Sequence, residues 1–241
     1  MRLKKWYPWM VVGLLWVVAL LNYMDRQMLS TMRASMAADI TDLESTIMFG
    51  KVMAAFMWIY GFCSPISGIV ADRVNRKWLI VVSLIVWSTV TLLLGYATTF
   101  EQVYWLRAVM GVSEALYIPA ALSLIADYFT GKQLSLAIGI HMTGLYMGQA
   151  VGGFGAFVAE QLSWQQTFHW FGIIGIVYAF ILVAFLFEKR TNEPASDLAK
   201  EKLPLKETII QGLKGIRSSL GMLLGNIAFW TILFFFASCS I

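Results

Sequence analysis

Gly68-Ile69-Val70-Ala71-Asp72-Arg73-Val74-Asn75-Arg76-Lys77 closes one long apolar stretch of the chain and opens the next. A small residue, an acid and a set of bases are thus packed into the hinge between two hydrophobic runs. Gly68 permits close approach between helices, and Asp72 can cap a neighbouring helix N-terminus or accept hydrogen bonds from Arg73 or Arg76. The bases fix this end of the runs to one side of a bilayer. Such a cluster can latch one arrangement of packed helices.

Outward from this hinge, the 241 residues are 59% hydrophobic and 13% charged, with a mean hydropathy of +0.70, far from the balance of a soluble domain. The apolar runs are each about 20 residues or longer, enough to cross a ~30 Å hydrocarbon core as a helix. Six spans are expected at 9–31, 47–70, 78–98, 104–126, 136–158 and 167–187. A seventh starts at 222. The expected division is a six-helix transmembrane bundle over 1–187, a central loop with an amphipathic helix over 188–221, and the start of a seventh helix over 222–241. In that loop Leu205, Ile209, Ile210, Leu213 and Ile216 recur at helical spacing between charges, which suits a helix in the headgroup layer.

Lys and Arg fix the orientation. They gather before span one, at the 68–77 hinge, at Lys132 and after span six, whereas the opposite connections carry Asp39, Asp42, Glu44, Glu101 and Glu160, with Arg33 and Lys51 as exceptions. The positive-inside rule therefore places the N-terminus in the cytoplasm of a multi-pass protein of the cell (inner) membrane. The net charge of +4 reflects this topology and forms no continuous basic face for nucleic acid. Cys63 and Cys239 have no metal-ligand or redox spacing, and the basic start at Met1 to Lys5 leads into a retained span without a small-residue cleavage site.

Four ionisable residues interrupt the spans: Asp25, Arg26, Arg107 and Glu114. A charge at mid-bilayer costs roughly 2.5–3.5 kcal/mol on insertion scales, so such residues normally mark a substrate or proton pathway. Asp25 projects about 100° away from Arg26 around the helix, so it can meet a neighbouring helix while Arg26, Asn22 and Tyr23 face a cavity. Arg107 and Glu114 share a face but stand about 10.5 Å apart along the axis. Glu114 lies near mid-bilayer, where burial disfavours the charged form and a carboxyl group can hold a proton. Asp25 is a candidate partner for either Arg107 or Glu114, and Asp127, at the inner end of span four, is placed to meet Arg73. An interhelical lock, or side chains snorkelling to the surface, is the competing reading of these charges.

The 68–77 pattern resembles the signature loop between the second and third spans of the major facilitator superfamily, with Asn75 where many members have Gly. The span count, inside N-terminus and long loop after span six agree, so the resemblance implies the N-terminal half of a twelve-helix, all-α membrane fold. Asn22-Tyr23-Met24-Asp25-Arg26 and the Arg107 to Pro119 segment are similar to the anion:cation symporter branch, which moves hexuronates and sugar acids with protons. That resemblance implies Asp25 and Glu114 as proton-coupling residues, Tyr23, Arg26 and Tyr60 near substrate, and Arg107 as the charge partner of Glu114. Gly68, Asp72, Arg73, Arg76, Lys77 and Asp127 form the cytoplasmic gate motif. The same segments resemble spinster-type lipid transporters, which share the Leu-Leu-Asn-Tyr-Met-Asp-Arg run. Against that second likeness, His141 and Gln149 of span five add polarity to a possible cavity.

Span five also carries Gly144, Gly148, Gly152, Gly153 and Gly155 as a small-residue stripe for close helix packing. The expected activity is proton-coupled symport of a small organic anion or sugar acid by alternating access. A spinster-like lysolipid transporter and a non-transporting membrane scaffold or receptor are the alternatives. No nucleophile with a base, metal-ligand cluster or phosphate loop supports an enzyme, and no cofactor or metal is expected. The partners expected are the substrate, protons, membrane lipid and a missing C-terminal half, since a full member needs roughly twelve spans of ~20 residues each. The chain therefore reads as a fragment that does not transport alone.

Overall fold

In the computed structural model, which describes residues 6–71, 73–188 and 231, each of the six apolar runs is helical. The helices are α1 (Tyr7–Thr31), α2 (Arg33–Asp39), α3 (Thr46–Ala71), α4 (Arg76–Leu94), α5 (Phe100–Ala115), α6 (Tyr117–Tyr128), α7 (Gly131–Gly152), α8 (Gly155–Leu162) and α9 (Trp164–Phe185). They make six rods, because α5 with α6 and α7 with α8 are broken halves of single spans. All belong to the compact unit Met1–Thr191. The loop over 188–221 and the seventh span lie outside the described residues, apart from Glu188 and Thr231.

Local sequence sets the ends and breaks. Thr99 and Gln102 form a reciprocal capping box at the start of α5, which satisfies two orphan N–H groups. Span four, expected as one helix over 104–126, breaks at Leu116 because Pro119 has no N–H to give the carbonyl of residue 115 and its ring crowds that carbonyl. Among the described residues five helices are long and apolar enough to cross a membrane: α1, α3, α4, α5 with α6, and α9. The remaining rod, α7, is less apolar because of its glycines, His141 and Gln149.

Those glycines decide how α7 packs. A Cβ at Gly144 would stand 2.7 Å from the Trp16 carbonyl oxygen, one at Gly148 would overlap the Leu20 backbone, and one at Gly152 would stand 2.8 Å from the Met24 carbonyl oxygen. The stripe is therefore the surface against which α1 lies, at backbone contact distance. Gly68 differs from expectation: a Cβ there would meet nothing within 4 Å, because its face of α3 packs against no neighbouring helix of this unit.

At one end of the bundle α2 folds across the helix termini and buries Met32, Met36, Ile40 and Leu43. Arg33, a basic residue on the acidic side, donates to the carbonyls of Leu43 (3.1 Å) and Glu44 (2.7 Å). Its charge caps this turn. At the other end the chain leaving α9 is clasped by several helices. Tyr7 donates to the Phe185 carbonyl (2.9 Å) and accepts from Phe187 N–H (2.7 Å), while Tyr128 donates to the Phe187 carbonyl (2.6 Å). Lys77 donates to the Val183 carbonyl, and Glu188 accepts from Arg76 N–H at the start of α4. Tyr7→Phe removes the partner of one backbone N–H and one carbonyl, so it should cost about 1 kcal/mol. Thermal unfolding in detergent micelles checks this, and a loss no larger than that of an exposed Tyr96→Phe control would refute it.

Candidate functional site

The four intramembrane charges are buried or nearly so, and Arg26, Arg107 and Glu114 converge between α1, α3 and α5. Arg107 is 1% exposed, Glu114 0% and Asp25 7%. Arg26 Nε donates to Glu114 Oε2 at 2.6 Å, and the Arg26 side chain keeps 19% exposure while that of Glu114 has none. The partner of Glu114 is therefore Arg26 of α1, not the expected Arg107. The cause is the 10.5 Å axial offset between Arg107 and Glu114 on one straight helix, against a neighbouring helix that brings Arg26 alongside.

Three aromatic rings surround the Arg26 guanidinium. Its Cζ lies 4.8 Å from the Tyr23 ring centroid, 4.9 Å from that of Phe56 and 4.5 Å from that of Tyr60. A guanidinium over aromatic faces gains cation–π attraction of roughly 2 kcal/mol or more where it is desolvated. The rings thus hold Arg26 in place independently of its carboxylate. Arg107 also lies over Phe56, at 4.6 Å, and its Nη1 reaches only the Met110 sulfur, a weak acceptor, at 3.0 Å.

Asp25 turns to the opposite side and meets α4. The Thr91 hydroxyl oxygen stands 3.0 Å from Asp25 Oδ2 and 3.0 Å from the Trp87 carbonyl oxygen. The Thr91 hydroxyl donates, with its one hydrogen shared between these two acceptors.

Several buried polar atoms here have no hydrogen-bond partner: both side-chain atoms of Asn22, Arg26 Nη2, Arg107 Nε and Glu114 Oε1. Asn22 nevertheless lies beside the Glu114 carboxyl group. Such concentrated unmet hydrogen-bonding capacity is uncommon in protein interiors and suits a place that takes up something more. His141 is also fully buried with neither ring nitrogen partnered, against the Tyr117 ring at 5.9 Å, whereas Gln149 is exposed. These two do not join the cluster. Phe56 and Thr91 are the residues that sequence reasoning missed. Phe56 had one signal, its four-residue spacing from Tyr60, and Thr91 had its polarity within an apolar span.

At the clasped end Asp127 forms its ion pair with Arg76. Arg73 was the expected partner, but it is exposed, and Arg76, in the first turn of α4, is the base that reaches α6. Asp72 lies outside the described residues. Two surface grooves, of 490 and 420 Å³, open at the other end beside Trp105, and neither contains the charged cluster.

A sequence model of the Major Facilitator Superfamily matches residues 15–241. The chain belongs to the Major Facilitator Superfamily. Members of this superfamily are transporters and not enzymes, and this member is an integral multi-pass membrane protein. It is 31% identical to Protein spinster of Drosophila melanogaster over 73% of this chain and 29% of that protein. It is 28% identical to the D-galactonate transporter of Escherichia coli O6:H1 over 72% of this chain and 40% of that one. Among solved structures, a bacterial homolog of the human lysosomal transporter Spinster, in an inward-facing and occupied conformation, superposes with a TM-score of 0.68. The identity there is 26%, over 77% of this chain and 46% of that one. The chain thus spans less than half the length of the relatives it matches.

Proposed function

We propose that this superfamily member is the N-terminal half of a proton-coupled symporter that moves a small organic anion or sugar acid by alternating access. The reading places its N-terminus in the cytoplasm and the protein in the cell (inner) membrane. The observation that carries it is the Arg26–Glu114 pair, in which the base retains some exposure and the acid has none.

While Glu114 is ionised it occupies the Arg26 guanidinium. A proton on Glu114 neutralises the acid and releases that fork, held by Tyr23, Phe56 and Tyr60, for the carboxylate of a substrate. Planar guanidinium suits bidentate recognition of such a group. Substrate anion and Glu114 therefore compete for one cation, and proton and anion are favoured together. Asp25 is the second proton site, read by Thr91, and the buried positive charge of Arg107 offsets the pair of acids. Across the membrane plane, Arg76 and Asp127 are the gate pair whose contact forms and breaks as access alternates.

The similarity to a D-galactonate transporter supports a sugar acid. The likeness to spinster proteins favours a lysolipid as the second reading. Uptake by the complete transporter in proteoliposomes, with an inward proton gradient, separates them. Accumulation of sugar acids such as D-galactonate is expected, and movement of lysophospholipid alone would replace the first reading by the second. In the same assay Thr91→Val should slow proton-driven uptake several-fold while Thr91→Ser retains it, because only the hydroxyl meets Asp25. Equal rates for the two variants would remove Thr91 from the pathway.

A further inference from the structure

We infer that Phe56 is a positioning residue that keeps Arg107 off Asp25, so that Glu114 engages Arg26 alone and the charge of Arg107 stays beside the anion site. This rests on the symport reading above and names what keeps its two cations separate.

Phe56 is 2% exposed, and its ring is the one described ring that touches both guanidinium groups. Its backbone is fixed by Gly111: a Cβ there would stand 2.8 Å from the Phe56 carbonyl oxygen and 3.3 Å from Tyr60 N. Gly111 lies one helical turn from Arg107 and one from Glu114, so α3 presses against α5 midway between the two charges. Arg26 has other rings and a carboxylate. Arg107 has Phe56 and the Met110 sulfur, and among the described residues it forms no ion pair.

The axial offset keeps Arg107 from Glu114, which leaves Asp25, whose charge also acts on it, as the acid that a fully buried guanidinium would be expected to turn onto. The charged groups that act on it are Glu114 of α5 and Asp25 and Arg26 of α1, with Thr91 of α4 held on Asp25. The Phe56 ring supplies the competing attraction. Loss of the ring frees Arg107 to turn onto Asp25, which draws its positive charge away from the anion site.

The test compares the parent, Phe56→Leu, Phe56→Tyr, Arg107→Gln and the Phe56→Leu/Arg107→Gln double variant of the complete transporter, with D-galactonate as probe. Phe56→Leu is expected to raise KM roughly tenfold, as suits loss of a desolvated cation–π contact, with kcat changed less than about threefold. Phe56→Tyr keeps the parent KM. On the Arg107→Gln background Phe56→Leu adds no further rise. An unchanged KM in Phe56→Leu, an equal rise in Phe56→Tyr, or a full additional rise in the double variant would overturn the inference. If the parent takes up no D-galactonate, the symport reading fails instead, and unfolding midpoints of the same proteins still decide the role of Phe56. Non-additive losses for Phe56→Leu and Arg107→Gln support it, and additive losses overturn it.

Discussion

Glu114→Gln should reduce proton-driven accumulation of substrate to the level of empty vesicles while exchange of labelled for unlabelled substrate continues. Two effects of the substitution oppose each other. Breaking a buried ion pair by removing one partner commonly costs 3–5 kcal/mol, because the other charge is left uncompensated. Here Arg26 keeps three ring contacts and some exposure, and the glutamine carbonyl can still accept its N–H. The fold is therefore expected to survive, and intact exchange reports that survival. On the proposed reading, what is lost is an acid able to bind and release a proton at the substrate cation. Accumulation by Glu114→Gln at the parent level would assign the pair to helix packing, as in the scaffold alternative.

Gly148→Ala should destabilise the bundle by about 1–3 kcal/mol, and Gly148→Leu by about 3 kcal/mol or more. The added Cβ would overlap the Leu20 backbone, which no rotamer change can relieve. In lipid, helices associate through close packing and not through a hydrophobic driving force, so separation of α1 from α7 has little to offset it. The displacement also moves Asn22, Asp25 and Arg26, which lie on α1 within two turns beyond Leu20. Gly139, on the same helix, is the control: a Cβ there meets nothing within 4 Å, and Ala has the better helix propensity. Unfolding midpoints in detergent should therefore fall for Gly148→Ala and hold or rise for Gly139→Ala. Equal behaviour of the two would contradict backbone contact along the stripe.

The sequence made the six rods legible because each apolar run is long enough to span a bilayer and ends at a charge or a cap. It also made Asp25 and Arg26 legible as residues with different neighbours, since adjacent positions on a helix diverge by about 100°. They meet Thr91 of α4 and Glu114 of α5. The identity of those neighbours was hidden. Arg26 and Glu114 are 88 residues apart, and their pairing depends on the register between two helices that no local pattern encodes. The glycine stripe showed that something packs closely on α7, but every other span is apolar too, and nothing in α1 marks it as the partner. Phe56 was hidden for another reason: an aromatic residue in an apolar span has no compositional contrast, and its role comes from two cations brought to it by other helices. The break at Leu116 was readable from Pro119 in outline, since proline cannot continue the backbone ladder.

The central claim is that one cation passes from Glu114 to the substrate anion as Glu114 takes a proton. Infrared difference spectroscopy of the complete transporter, recorded on addition of D-galactonate, observes that proton directly. The account predicts a protonated carboxyl band that appears with substrate in the parent and is absent from Glu114→Gln. A spectrum without that band, or one in which the band persists unchanged in Glu114→Gln, would contradict it.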